Sequence, residues 1–198
     1  MEALRREAAG CRRCHLWEHA TQTVFGEGTT DARLLFVGEQ PGDKEDLAGK
    51  PFVGPAGRLF GEALLEAGID RATVYVTNAV KHFKFEARGK RRIHQRPDVT
   101  EVAACKPWLE GEIAAVEPEL VVCLGAVAAQ ALLGSSFRVT KQRGQFVEGL
   151  IGPVVTATVH PSSILRAPDE ETRRKELALF VADLRVVVER MAEVHEWR

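Results

Sequence analysis

Leu34 to Val37 form an unbroken apolar run that stops at Gly38-Glu39-Gln40-Pro41-Gly42. A short apolar run closed by a glycine–proline turn reads as a buried strand whose carboxyl end opens into a loop. Open parallel α/β sheets bind ligands just outside such strand ends. Here the loop carries a carboxylate, Glu39, and an amide, Gln40, between glycines that let the backbone approach a substrate closely. An aromatic, Phe52, follows shortly. An ordinary strand–helix turn with solvated acids is the plainer alternative for this loop alone.

The pattern recurs. Val74 to Thr77 reads as a strand with Asn78 at its end, Leu120 to Leu124 as another, and Val154 to Val159 as a third, followed by His160-Pro161-Ser162-Ser163. Thr23 to Gly28 reads as a short strand and turn. Between these lie helical periodicities. Pro55–Ala67 puts Leu59, Phe60, Leu64 and Leu65 on one face and ends at Gly68. Asp98 caps a helix to Val116 that carries Cys105, Trp108, Leu109 and Ile113. Ala126–Leu133 stops at Gly134, and Glu170–Met191 turns Leu177, Phe180, Val181 and Leu184 inward. Strands alternating with helices predict an α/β/α sandwich, three layers deep, around a mostly parallel sheet. Glu39, Asn78 and His160 each follow a strand directly, so their side chains are expected to converge on one sheet edge.

A chain of 198 residues suits one domain, residues 1–198. It carries no apolar run long enough to span a membrane and no secretory pattern, so a cytoplasmic place is expected. In that compartment Cys11, Cys14, Cys105 and Cys123 favour metal binding or free thiols over disulfides. Cys11-Arg12-Arg13-Cys14 brings two thiolates close enough to share a metal or cluster, which makes residues 1–20 a candidate cluster-binding segment.

The formal net charge is −1, so any nucleic-acid contact has to rest on a local basic surface. Residues 81–97, KHFKFEARGKRRIHQRP, supply one. Lys81, Lys84, Arg88, Lys90, Arg91, Arg92 and Arg96 stand against the single acid Glu86, with Phe83 and Phe85 interleaved. The segment is long for a strand–helix connection. Cations alternating with aromatics beside a strand-end site are what a nucleic-acid groove requires. A solvated charged loop is the competing reading.

The segments GEQPG, GKPFVGPAG, VTNAVK and HPSSILR occur in the order found in the uracil-DNA glycosylase superfamily, and the chain resembles its iron–sulfur branch over most of its length. It resembles most closely the UdgX group, which becomes covalently attached to uracil-containing DNA. The features that carry this are Gln40 within GEQPG and the loop KRRIH ending at His94. The resemblance implies a substrate of deoxyuridine in DNA, with single strands favoured because the base must leave its stack. Gln40 (through nearby backbone N–H groups), Phe52, Asn78 and His160 would bind uracil. Phe52 would stack on it, Asn78 would read its Watson–Crick edge, and His160 would hydrogen-bond O2. Glu39 would steady the cationic sugar, and His94 would attack C1′.

By the same resemblance, Cys11, Cys14, His82 and Cys105 would hold a [4Fe–4S] cluster. A set with Cys123 in place of His82 is the alternative, and a zinc site of three cysteines and one histidine is also allowed. Lys90, Arg91, Arg92 and Arg166 would contact DNA, with Ile164 and Leu165 as an apolar wedge. The competing functions are a multiple-turnover uracil-DNA glycosylase and a non-catalytic nucleic-acid-binding module. Nothing in the sequence demands more than a monomer.

Overall fold

The structure, a computed structural model, describes residues 1–149 and 152–196. Its strands are β1 (Glu27–Gly28), β2 (Leu34–Gly38), β3 (Tyr75–Asn78), β4 (Phe85–Arg88), β5 (Arg91–His94), β6 (Leu120–Leu124), β7 (Val147–Glu148) and β8 (Val154–Thr158). Its helices are α1 (Glu2–Ala9), α2 (Asp43–Ala48), α3 (Pro55–Glu66), α4 (Val99–Val116), α5 (Ala126–Leu133), α6 (Val139–Gln142), α7 (Pro161–Leu165) and α8 (Glu170–Glu196). The main sheet has the order β1-β3-β2-β6-β8-β7. Its four central strands are parallel, and the two short edge strands are antiparallel.

Strand alternation builds the three layers. Leu35, Val37, Tyr75, Val121 and Cys123 point to one face and pack with Leu109 and Ile113 of α4 and Val127 and Ala128 of α5. Leu34, Phe36, Val76 and Val122 point to the other, against Leu59, Phe60 and Leu64 of α3 and Phe180, Val181 and Leu184 of α8. Both faces are covered, which is why β2 and β6 read as continuous apolar runs. Leu65 departs from the expected helix face: it is 81% exposed. It lies one step around α3 from the buried Leu64, beyond the stripe that α8 covers.

Residues 81–97 also differ from an open basic loop. Lys81, His82 and Phe83 are buried, and β4 and β5 pair as an antiparallel hairpin with Phe85 opposite His94. A third, smaller core joins Ala8, Leu16, Phe25, Val80, Cys105 and Trp108, and seats the N-terminal segment on α4. No helix among the described residues is long and apolar enough to cross a membrane.

Lys81 is removed from the DNA-facing cations altogether. Its ammonium and the Glu112 carboxylate form a fully buried ion pair at 2.5 Å. Lys81 Nζ also donates to Thr77 Oγ1 and to the Asn78 carbonyl, at 2.7 and 2.6 Å. Glu112 accepts from the Gly26 N–H and the Tyr75 and Thr77 hydroxyls. A buried charge costs heavily when left alone. Glu112→Ala is therefore expected to lower stability by about 3–5 kcal/mol in urea unfolding, while the double variant Lys81→Met/Glu112→Leu recovers most of that loss. Equal destabilisation in both would rule out the isolated charge as the cause.

Candidate active site

Every carboxyl end of the four parallel strands contributes to one cavity of about 770 Å³. Glu39 and Gln40 follow β2, Asn78 ends β3, Gly125 and Ala126 follow β6, and Val159 and His160 follow β8. Phe52, Ile93, His94, Arg96 and Arg166 complete much of the wall. Glu39, Asn78 and His160 thus meet as their strand-end positions require, and the hairpin brings His94 to them.

Asn78 is 3% exposed, and its side-chain amide has no hydrogen-bond partner among the described residues. Donor and acceptor are both open to a ligand. Gly38 allows this: a Cβ there would stand 2.3 Å from Asn78 Oδ1 and 2.8 Å from Phe52 Cζ. Phe52 is held in the left-handed region, φ 56°, with its ring 5.1 Å from Phe60 and 6.3 Å from His160, nearly parallel to the latter. Glu45 fixes the segment after Phe52 by accepting the Gly54 N–H at 2.7 Å.

His160 Nδ1 accepts the Ser162 N–H at 3.1 Å. A neutral ring therefore carries its proton on Nε2. Burial, then the positive Arg166 and His94, push its pKa down to about 4, so it is neutral at pH 7. His94 Nε2 lies 3.4 Å from Glu39 Oε1. Burial and Arg166 lower the His94 pKa below its ordinary value, while a hydrogen bond to its own backbone carbonyl opposes them. Burial raises the Glu39 carboxyl, and Arg96 and Arg166 pull it back.

Two sequence-assigned residues hold the hairpin in place of facing a ligand. Gln40 Nε2 donates to the Lys84 and Gln95 carbonyls at 3.2 and 2.9 Å, and its Oε1 accepts the Lys84 N–H at 3.0 Å. Its side chain clamps both roots of the hairpin, leaving its backbone for the cavity. Arg92 donates to Asp43 Oδ1 and Asp46 Oδ2, both at 2.6 Å, and lies 5.4 and 5.1 Å from the rings of Phe83 and Phe85. The guanidinium is consumed inside the protein, which leaves Lys90 and Arg91 exposed at the tip beside Arg88, itself paired with Glu86. In the sequence Asp43 and Asp46 stand only as acids just after the strand-end loop, with nothing to mark them as partners of the basic run. Ile164 is buried in the core, which removes it as a wedge, and Leu165 is partly buried beside it.

Cys11, Cys14 and Cys105 gather in the N-terminal core and influence one another electrostatically. Each sulfur faces an N–H: Cys11 that of Trp108 Nε1 at 3.1 Å, Cys14 that of Leu16, Cys105 that of Lys81 at 3.2 Å. Such N–H donors stabilise thiolates and cluster sulfurs. Burial raises Cys105 to about 11, so an unliganded thiol there stays protonated. Cys123 lies in the main core, apart from this group. His82 is buried, with Nε2 2.9 Å from Thr23 Oγ1. No three His, Cys, Asp or Glu side chains among the described residues converge on a single metal ion. In a cluster each thiolate binds a different iron, so its sulfurs stand further apart than around one ion.

A free amide, an aromatic face and a neutral imidazole at the ends of a parallel sheet have the chemistry to accept a flat, hydrogen-bonding heterocycle. A model of the uracil DNA glycosylase superfamily matches residues 25–185, and the chain belongs to that superfamily. It is 39% identical over 175 residues to the type-4 uracil-DNA glycosylase of Thermotoga maritima, across 88% of each chain. It is 34% identical over 179 residues to that of Sulfurisphaera tokodaii, across 85% of this chain and 77% of the relative. The type-5 uracil-DNA glycosylase of Pyrobaculum aerophilum is 32% identical over 171 residues, across 77% of this chain and 71% of the relative.

If Arg92 braces the hairpin, Arg92→Ala should speed amide exchange across residues 85–94 roughly 10- to 100-fold, as losing about 1.5–3 kcal/mol of charged hydrogen bonding implies. Unchanged protection would show the brace to be dispensable.

Proposed function

We propose that this protein is a uracil-DNA glycosylase that ends its reaction covalently attached, through His94, to C1′ of the sugar it has stripped. The observation that carries this is the position of His94: one wall of the same cavity as Asn78 and His160, 3.4 Å from Glu39, on a hairpin fixed at root and flank.

Phe52 stacks on the extruded base. The free Asn78 amide offers a donor to O4 and an acceptor to N3–H of uracil, where cytosine presents a mismatched amino group. The N1–C1′ bond breaks with its electron pair leaving on uracil. The Nε2–H of His160 donates to O2, where that charge develops. Glu39 stabilises the positive sugar, as carboxylates do for oxocarbenium-like states. The lone pair of His94 then forms a C–N bond to C1′. In balance, the imidazole loses one proton and uracil gains one. A positioned imidazole outcompetes water because effective molarities of oriented groups reach roughly 10⁵–10⁸ M. No easy leaving group remains on the product, so each molecule reacts once. Single-stranded DNA is favoured because extrusion then costs less. One chain supplies every group, which is consistent with a monomer.

Cys11, Cys14 and Cys105, with His82 as fourth ligand, would hold an iron–sulfur cluster, whose part is structural. It would fasten the N-terminal segment to α4 and to the root of the hairpin. Iron and sulfide in the purified protein, with a broad visible absorbance, are expected; stoichiometric zinc would overturn this assignment.

The relatives' names give uracil-DNA glycosylase and nothing of attachment, which supports hydrolysis with turnover as the second reading. A denaturing gel with uracil-containing single strands separates the two. Attachment predicts a shifted band that His94→Ala abolishes, whereas hydrolysis predicts an alkali-labile abasic strand and no shift. A band undiminished in His94→Ala would refute the role of that residue.

The pH dependence follows from the same groups. Glu39 must be ionised and both histidines neutral, and all three conditions fail only on acidification. The attachment rate is expected to be level from about pH 7 to 9 and to fall below the ordinary histidine value of about 6.5. A rate that drops on raising the pH through 7–9 would contradict this.

A further inference from the structure

Two guanidiniums line the cavity, on different elements. Arg96 lies two residues beyond His94 at the root of the hairpin, and Arg166 closes α7, following His160 and its turn. Both residues are exposed, and neither guanidinium has a hydrogen bond, ion pair or ring contact among the described residues. The contrast with Arg92 is direct: two carboxylates hold that guanidinium within the same hairpin. Glu39 is the nearby candidate partner, and both arginines act on its carboxyl through space. Its carboxyl group nevertheless faces His94, with Nε2 3.4 Å from Oε1.

Uracil is neutral, so it cannot satisfy two cations at the mouth of its own pocket. The substrate's charge lies on the phosphodiesters, one on each side of the extruded nucleotide. Arginine binds phosphate oxygens through paired N–H donors. Phosphate contacts set register without reading sequence. Here the register decides where C1′ sits relative to His94, since Arg96 and His94 share one short, braced stretch of chain.

We propose that Arg96 and Arg166 form a phosphate clamp that straddles the extruded deoxyuridine, each guanidinium taking the phosphodiester on one side. Arg96 is then a positioning residue for attack on C1′. Lys90 and Arg91, at the far end of the hairpin, serve strand further out. This inference rests on the function proposed above and adds to it a residue that the sequence showed only as one cation in a basic run.

The test uses the full protein and single-stranded DNA carrying one 2′-fluoro-deoxyuridine, which resists bond cleavage and leaves binding to be read alone. Wild type, Arg96→Gln and Arg166→Gln are compared over a salt series. Each variant is expected to bind about 10-fold more weakly at low salt. Its slope of log affinity against log salt should be shallower by about 0.7, the value for one lost phosphate on a single strand. A neutral methylphosphonate on one side of the nucleotide should weaken wild type and leave Arg96→Gln unaffected, and on the other side should do the same for Arg166→Gln. If Arg96 serves only to hold Glu39 ionised, Arg96→Gln would move the acid limb of the attachment profile and keep the wild-type salt slope, which overturns the clamp. So would a methylphosphonate that weakens wild type and both variants alike. Wild type that fails to prefer 2′-fluoro-deoxyuridine over the matching thymine strand would overturn the uracil reading itself, and the clamp with it.

Discussion

Arg92 sits between the carboxylates of Asp43 and Asp46 and against the rings of Phe83 and Phe85. A two-stranded hairpin is marginal by itself in water. This one is flanked by a helix it does not pair with, and the guanidinium joins the two. Asp46 is fully buried and also accepts the Thr21 N–H, so the same carboxylate ties the cysteine-bearing N-terminal segment to the hairpin. Gln40 clamps the roots, and Lys84 Nζ reaches Glu101 on α4 at 2.8 Å. The position of His94 is therefore set from three directions by charge-assisted or backbone hydrogen bonds. Rigid placement is what an intramolecular nucleophile needs, because its advantage over solvent is entropic.

Burial dominates the electrostatics of the cavity. Burial makes both histidines poorer bases and the Glu39 carboxyl a poorer acid, while Arg96 and Arg166 favour its ionised form. The result is neutral imidazoles beside a carboxyl whose pKa stays above its ordinary value despite the two arginines. One imidazole is suited to donate from Nε2, since Ser162 occupies its Nδ1. The other keeps a lone pair. Two residues of one type thus differ in chemistry because one caps a helical turn and the other projects from a strand.

The Lys81–Glu112 pair connects this chemistry to the fold. Lys81 Nζ supports the carbonyl of Asn78 from below, and the Lys81 N–H meets the sulfur of Cys105. The buried asparagine that lines the cavity and the cysteine of the N-terminal core both lean on one buried residue. That arrangement accounts for a charge in an apolar interior, where a hydrophobic pair would pack at less cost.

Much of this was legible in the sequence. Apolar runs, their abrupt ends and the helical periodicities between them determined the layers, the parallel sheet and the meeting of Glu39, Asn78 and His160, because strand ends in such a sheet share one edge. The order of the motifs pointed to the superfamily. Tertiary structure alone decided which cations face solvent. Lys81, Arg92 and Arg96 look equivalent in a basic run, yet one is buried with Glu112, one is held by Asp43 and Asp46, and one is unpaired at the cavity among the described residues. Their partners lie far off in sequence, and a charge shows its role only once the fold has placed, or withheld, the opposite one.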